Sequence, residues 1–121
     1  MTAISEMTVE QLVDRFAEIA IAQGQALLRD EMGTFKRLFG TMNEVDDELK
    51  RRGTAARLRL TRLYTHPDLQ VRVKAAKRTL AVAPDDARKV LRALEESGEQ
   101  PQALEAGMSL LNLEKGIFKP T

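Results

Sequence analysis

The chain of 121 residues contains no cysteine, no tryptophan and a single histidine. These absences exclude a disulfide framework, a thiolate metal site, a multi-histidine metal centre and a Cys/His nucleophile pair. Aromatic residues make up only 4% of the chain, so it has few of the stacking side chains that base-handling proteins use. We therefore expect no cofactor and no bound metal.

Long apolar runs are also missing. The longest uncharged run, residues 19–28, has ten residues, whereas a helix that crosses a membrane needs about 20. The first residues, MTAISEMT, carry no basic side chain before their apolar positions, unlike a secretory signal. We expect a protein that makes no membrane contact. The lack of cysteine fits the cytoplasm, where thiols stay reduced.

Residues that favour helices dominate what is present. Alanine, leucine, arginine and glutamate are frequent, while β-branched and aromatic residues are few. A chain of this length with 43% hydrophobic residues can bury a core of its own. We therefore predict a single all-α domain over residues 1–121, with five to six helices.

Capping and glycine signals divide the first half of the chain. Thr8 stands three positions before Gln11, which is a capping-box pattern that begins the first helix. Gly24 leaves a bend or a break in that helix possible. The second helix ends at Gly53 after three cations, and a short third helix covers about 55–65. The apolar residues that mark the second helix recur at steps of three and four: Phe35, Leu38, Met42, Val45 and Leu49.

Prolines divide the second half, since Pro67, Pro84 and Pro101 are evenly spaced. The turn 66–68 precedes a fourth helix that runs to about 82, and Asp68 is expected to cap it and to pair with Arg72. The fifth helix starts at Pro84 and stops at 97–98, and the sixth runs from Pro101 to Gly116. On the sixth, Leu104, Met108 and Leu111 share one side, and the tail residues Ile117 and Phe118 are expected to pack back.

An internal repeat supports this organisation. Shifting the chain against itself by 31 positions aligns several Ala and Leu residues, which favours stacked helix pairs, as in an α-solenoid.

Two resemblances to known families point the same way. Residues 66–76, HPDLQVRVKAA, followed by Leu80, resemble a HEAT-type repeat. The whole chain resembles a small bacterial family of unknown function with HEAT-like helices, through DEL at 47–49, TLAVAP at 79–84 and EKGIFKP at 114–120. The family resemblance implies a fold of HEAT-like hairpins and no activity.

Charge is unevenly distributed, although the formal net charge is only +1. Residues 51–83 carry nine basic side chains and one acidic side chain, while both flanking segments are acidic overall. This basic band could bind phosphates or an acidic protein. Alternatively, carboxylates of the flanking segments could neutralise it within the chain. The candidate partner-binding residues are Arg57, Arg59, Arg62, Lys74, Lys77 and Arg78.

Other constellations favour structural roles. The single His66 stands at a helix start without a Ser or Asp partner that the sequence can place beside it, so we interpret it as a turn residue. The carboxylates of the second helix fit a solvated face better than a cation site. They are Glu44, Asp46, Asp47 and Glu48.

We therefore expect no enzyme. The preferred function is a non-catalytic protein-interaction module of HEAT-like type, whose partner is another protein or a second copy in a homo-oligomer. The alternative function is nucleic-acid binding through residues 51–83.

Overall fold

Helices account for all the regular structure in residues 3–121, which are the residues that the computed structural model describes. This range contains no strand, so the prediction of an all-α protein is confirmed. Two short 3-10 segments, Ile4–Glu6 and Arg59–Thr65, accompany the α-helices. The six α-helices are α1 (Val9–Leu28), α2 (Met32–Arg52), α3 (Thr54–Leu58), α4 (Leu69–Arg78), α5 (Pro84–Ser97) and α6 (Gln102–Glu114).

The helix starts follow the predicted capping signals. The backbone N–H of Gln11 donates to Thr8 Oγ1 over 3.1 Å, and the Thr8 N–H donates to Gln11 Oε1 over 2.8 Å. α1 then continues through Gly24 without a break. A helical glycine costs about 1 kcal/mol, and burial of neighbours such as Ala20, Gln23 and Ala26 offsets this cost.

The first of two compact units ends at Leu60. Within it α1 packs along α2, and the predicted seam of α2 is buried from Met42 through Val45 to Leu49. The start of α2 packs less fully, because Phe35 and Leu38 are half-buried and Phe39 is exposed. α2 ends where predicted, at Gly53, whose φ of 112° is a conformation that favours glycine.

The second unit, Thr61–Thr121, contains α4, α5 and α6. Asp68 caps α4, because its Oδ1 accepts from the N–H groups of Gln70 at 2.9 Å and Val71 at 3.2 Å. α4 ends at Arg78 rather than near 82, because the backbone of Thr79 leaves the helical conformation, with φ −110° and ψ 7°. The Thr79 hydroxyl donates to the Ala75 carbonyl over 2.8 Å. The core of this unit joins residues of all three helices with Leu80 from the turn after α4: Val73, Ala76, Leu80, Ala87, Leu91, Leu94, Ala106 and Leu110.

Polar pairs fix α6 parallel to α4 in this unit. Gln102 Nε2 donates to Gln70 Oε1 over 3.0 Å, and Lys74 Nζ donates to Glu105 Oε2 over 2.5 Å. The residue numbers rise together on both helices, with separations of 32 and 31 positions. The second separation equals the shift that aligns the sequence with itself.

The buried side of α6 is formed by Ala103, Ala106, Ser109 and Leu110. The side that carries Leu104, Met108 and Leu111 faces away from the core and is exposed. The prediction that these three share one side is confirmed, whereas the expected packing of the tail is wrong, since Ile117 and Phe118 are exposed. Their N–H groups both donate to the Asn112 carbonyl, so the backbone turns back while the side chains do not pack.

The two sides of α6 lead to a direct prediction. Leu110→Ala should lower the free energy of unfolding by about 2–4 kcal/mol, because it removes a buried side chain and leaves a cavity. Leu104→Ala makes the same chemical change on the exposed side and should cost less than about 0.5 kcal/mol. Urea unfolding in dilute solution measures both. Equal losses would contradict this orientation of α6.

Candidate functional site

The six candidate cations are divided between the two units. Arg57 and Arg59 lie in the first unit, and Arg62, Lys74, Lys77 and Arg78 lie in the second. Four of the six contact carboxylates of their own unit.

Arg57 is a buried residue and not part of an open surface. Its Nε lies 4.0 Å from Asp46 Oδ1, and Lys50 Nζ lies 3.8 Å from the other carboxylate oxygen of Asp46. Asp46 is itself almost fully buried. Burial of charged groups is tolerated when they pair, so this cluster holds the end of α2 against α3.

The expected solvated face of carboxylates on α2 is therefore wrong for Asp46. It is also wrong for Glu48, which accepts hydrogen bonds from Arg51 and from Arg52, whose Nε lies at 2.8 Å. These two bonds lower the pKa of Glu48 to about 2. Arg52 also donates to the carbonyls of Ile4 and Ser5 and so holds the N-terminal 3-10 segment. Glu44 and Asp47 are exposed.

Arg59 forms an ion pair with Glu10 of α1. Both side chains are largely exposed. Exposed pairs of this kind contribute about 0–1 kcal/mol, so the pair neutralises charge more than it stabilises the fold.

Lys74 and Lys77 share the carboxylate of Glu105. Their Nζ atoms lie 2.5 and 3.1 Å from Glu105 Oε2. Burial lowers the pKa of Lys74, and the Glu105 carboxylate acts against this decrease. Burial also acts to raise the pKa of Glu105, but the charges of the two lysines outweigh it, so the pKa is lowered. The trio forms a polar contact between α4 and α6.

Arg62 is exposed and Arg78 is half-buried. The other four candidate cations, Arg57, Arg59, Lys74 and Lys77, pair with carboxylates of the acidic flanking segments. This agrees with the interpretation that the flanks neutralise the basic band within the chain. Glu10 and Asp46 belong to the first flank, and Glu105 belongs to the second.

His66 takes part in the turn before α4. Its Nδ1 accepts the backbone N–H of Asp68 over 3.0 Å, and its carbonyl accepts from Arg72 Nε. Arg72 therefore binds the turn backbone where the sequence suggested a pair with Asp68. These bonds give the only histidine a structural role in positioning the cap of α4.

An exposed apolar face on α6 is the feature that sequence reasoning did not identify as a surface. Leu104, Met108 and Leu111 expose 64%, 48% and 39% of their areas; we call these three residues the α6 stripe. Their spacing places them along one line of the helix, opposite the buried alanines. Ile117 and Phe118 follow just beyond the helix end and are also exposed.

The first unit contains a groove of about 680 Å³ beside the N-terminal 3-10 segment. Its lining includes Ile4, Met7 and the ion pair between Arg15 and Glu18. Across residues 3–121, acidic residues and the histidine do not gather into a group that could hold a metal ion. No helix in this range is long and apolar enough to cross a membrane.

Comparison with protein-family models matches residues 10–114 to a domain of unknown function, DUF2019. The chain belongs to the DUF2019 family. The match confirms the resemblance to a family without assigned function, and it covers helices α1 to α6 nearly completely.

This DUF2019 chain is also similar to a solved structure, the crystal structure of the protein RPA1889 from Rhodopseudomonas palustris CGA009. The two are 45% identical over the full length of both chains, with a TM-score of 0.94. None of the curated proteins compared with the chain matches it. These similarities establish the fold, and a shared fold does not by itself assign an activity.

The Lys74–Glu105–Lys77 trio gives a prediction that depends on pH. Glu105→Gln should lower the free energy of unfolding at neutral pH by about 1–3 kcal/mol, because the buried Lys74 ammonium loses its carboxylate. The pKa of Glu105 is lowered in the folded state, so its contribution is present above the ordinary glutamate pKa. That contribution disappears as pH falls through the lowered value.

The difference in unfolding free energy between wild type and Glu105→Gln should therefore shrink below about pH 4. Urea unfolding across pH 3–7 measures it. The exposed Glu114→Gln is the matched control and should change little at any pH. A difference that stays constant down to the lowest pH would show that the carboxylate charge of Glu105 is not what stabilises the contact.

Proposed function

We propose that this DUF2019 protein is a non-catalytic protein-interaction module that binds an amphipathic helix of a partner along the α6 stripe. The observation that carries this proposal is the exposure of Leu104, Met108 and Leu111 on one line of a well-formed helix. Exposed apolar side chains that form a continuous patch mark interaction sites in soluble proteins.

The spacing of the stripe favours a helical partner over an extended one. Residues at positions i, i+4 and i+7 form a ridge that packs into the groove of a second amphipathic helix. Polar or charged residues adjoin the ridge, such as Glu105 on one side and Glu114 on the other. A partner helix with an apolar line and polar flanks fits this surface.

HEAT-like packing is part of the proposal. The parallel contact of α4 and α6, with α5 between them in the chain, is the relation that stacked hairpins have in a solenoid. The 31-residue separation of Lys74 and Glu105 supports a repeat of this length. In such stacks the outer side of a helix that nothing covers is polar. The apolar outer side of α6 therefore supports a covering partner.

The non-catalytic part of the proposal rests on the occupation of the reactive groups. His66 binds the backbone of its own turn, Asp46 pairs with Arg57 and Lys50, and Glu105 pairs with two lysines. A catalytic acid or base needs to reach a substrate proton, and these groups are engaged by the fold. We place the protein in a bacterial cytoplasm, as the lack of cysteine suggests.

Nucleic-acid binding through residues 51–83 is the weaker alternative. Four of its candidate cations already contact carboxylates, so binding phosphates would require those pairs to open. Phosphate-driven binding also falls steeply with salt. A salt titration with a labelled duplex therefore tests this alternative independently of the α6 stripe.

A labelled synthetic peptide tests the preferred function. The probe is an uncharged amphipathic helix with leucines spaced by three and four residues, and fluorescence anisotropy measures its binding. Wild type should bind it, and Leu104→Glu should weaken binding by about tenfold or more, because a carboxylate enters the apolar contact.

Leu28→Glu is the matched control. Leu28 is 83% exposed at the end of α1, so this variant adds the same charge at an exposed leucine outside the stripe and should bind like wild type. Equal loss in both variants, or no binding by wild type, would contradict the proposed function.

A further inference from the structure

A carboxylate of α5 lies against α6 beside the α6 stripe. Gly107 is half-buried there, and a β-carbon at this position would lie 2.5 Å from Glu95 Oε2. The absence of a side chain at Gly107 therefore lets the Glu95 carboxylate rest on the surface of α6. Any larger residue at this position would push the carboxylate away from the helix.

Glu114 continues the same edge of the stripe. It follows Gly107 by seven residues, which is two helical turns, so the two positions lie on one line of α6 about 10 Å apart. Leu104 precedes Gly107 by three residues, and Leu111 precedes Glu114 by three residues. Residues three apart on a helix are neighbours, so each carboxylate borders one leucine of the stripe. We call Glu95 and Glu114 the acidic edge.

The acidic edge has no cation of its own. Both glutamates are exposed, and in the part of the chain that the structure describes neither forms an ion pair. Residues 93–114 include five glutamates and no basic residue, and the next cation, Lys115, lies beyond the end of α6. On the opposite edge of the stripe, Glu105 is already bound by two lysines of α4. The apolar stripe is therefore bordered by unmatched negative charge on one edge only.

We propose that the partner helix of the α6 stripe is basic along one edge, with two lysine or arginine side chains seven residues apart that pair with Glu95 and Glu114. This inference rests on the proposed function, because it gives the chemistry of the partner of the same surface. A spacing of seven residues keeps two side chains on one edge of the partner helix. The spacing is the same in either direction along that helix, so it applies to parallel and to antiparallel packing.

Charge complementarity argues for this partner over a neutral or an acidic one. A helix that covers the stripe removes water from the carboxylates at its border, and this loss is unfavourable unless an opposite charge replaces the water. An acidic partner would add like-charge repulsion. A basic edge instead forms two ion pairs at the rim of the apolar contact, each of which should improve affinity about two- to fivefold.

Three labelled peptides with the same line of leucines test the edge charge by fluorescence anisotropy. The first has two lysines seven residues apart beside the leucines, the second has glutamates at those two positions, and the third has the two lysines on the side away from the leucines. Wild type should bind the first peptide about four- to twentyfold more tightly than the third, because two ion pairs form. It should bind the second least tightly, and added salt should shrink the advantage of the first.

Neutral variants of the protein locate the ion pairs. Glu95→Gln and Glu114→Gln should each reduce the advantage of the first peptide over the third about two- to fivefold. Glu96→Gln is the matched control, because Glu96 is also exposed on α5 but adjacent residues of a helix do not face the same side. It should keep the wild-type advantage. An equal reduction in Glu96→Gln would overturn the inference, since general attraction by the acidic segment would then explain the preference.

Charge reversal gives a second test. The double variant Glu95→Lys with Glu114→Lys should bind the second peptide more tightly than the first, because the edge then carries the opposite charge. Both side chains are exposed, and circular dichroism checks that the variant keeps its helix content. A preference for the first peptide that survives the reversal would overturn the pairing.

A second copy of the chain is the competing occupant of the stripe. Sedimentation should show wild type as a monomer at the concentrations used for peptide binding. A wild-type dimer that Leu104→Glu dissociates would place a second copy on the stripe and would overturn the basic partner.

The peptides also separate this inference from the function on which it rests. The uncharged amphipathic peptide reports on the stripe alone. If wild type binds that peptide but binds the first and third peptides equally, the basic edge is overturned and the proposed function stands. If wild type binds none of the peptides, the proposed function fails as well. Tighter binding of the first peptide, reduced by Glu95→Gln and Glu114→Gln and kept by Glu96→Gln, supports the inference.

Discussion

Lys74 is a cation in the interior of the second unit, and the placement of α6 follows from the carboxylate that it needs. A buried ammonium without a partner is strongly unfavourable, and Glu105 supplies the partner at 2.5 Å. Once Glu105 points to α4, the helical geometry of α6 leaves little freedom. Ala103, Ala106 and Leu110 turn to the core, and Leu104, Met108 and Leu111 turn outward. The exposed stripe is thus a consequence of a buried ion pair.

Pairing with carboxylates inside the fold also accounts for most of the candidate cations of the basic band. Four of its six candidate cations contact carboxylates of the acidic flanking segments, each within its own unit. Ion pairs between two helices can specify how the helices are placed against each other, even where they add little stability. Asp46 with Arg57 does this in the first unit, and Glu105 with Lys74 does it in the second. An uneven charge distribution along the chain therefore becomes a set of local contacts.

The placement of α6 also leaves an apolar surface exposed, and the function that we propose for this DUF2019 protein depends on that surface. The proposed interaction depends on apolar contact at the exposed α6 stripe. A stack of helical hairpins offers such contact at an uncovered side of a helix.

Local signals in the sequence determined the helices. The Thr8 capping box, the Asp68 cap, Pro84 and Gly53 act through neighbouring backbone groups, so their effect can be deduced without any tertiary contact. The prediction of an all-α chain and most helix ends follow from them. The tertiary structure alone decided which side of α6 is buried and which cations are exposed. Both sides of that helix carry apolar residues at helical spacing, and the choice between them depends on a carboxylate 31 positions from Lys74. Local pattern cannot encode that contact, because it forms only when α4 and α6 pack together.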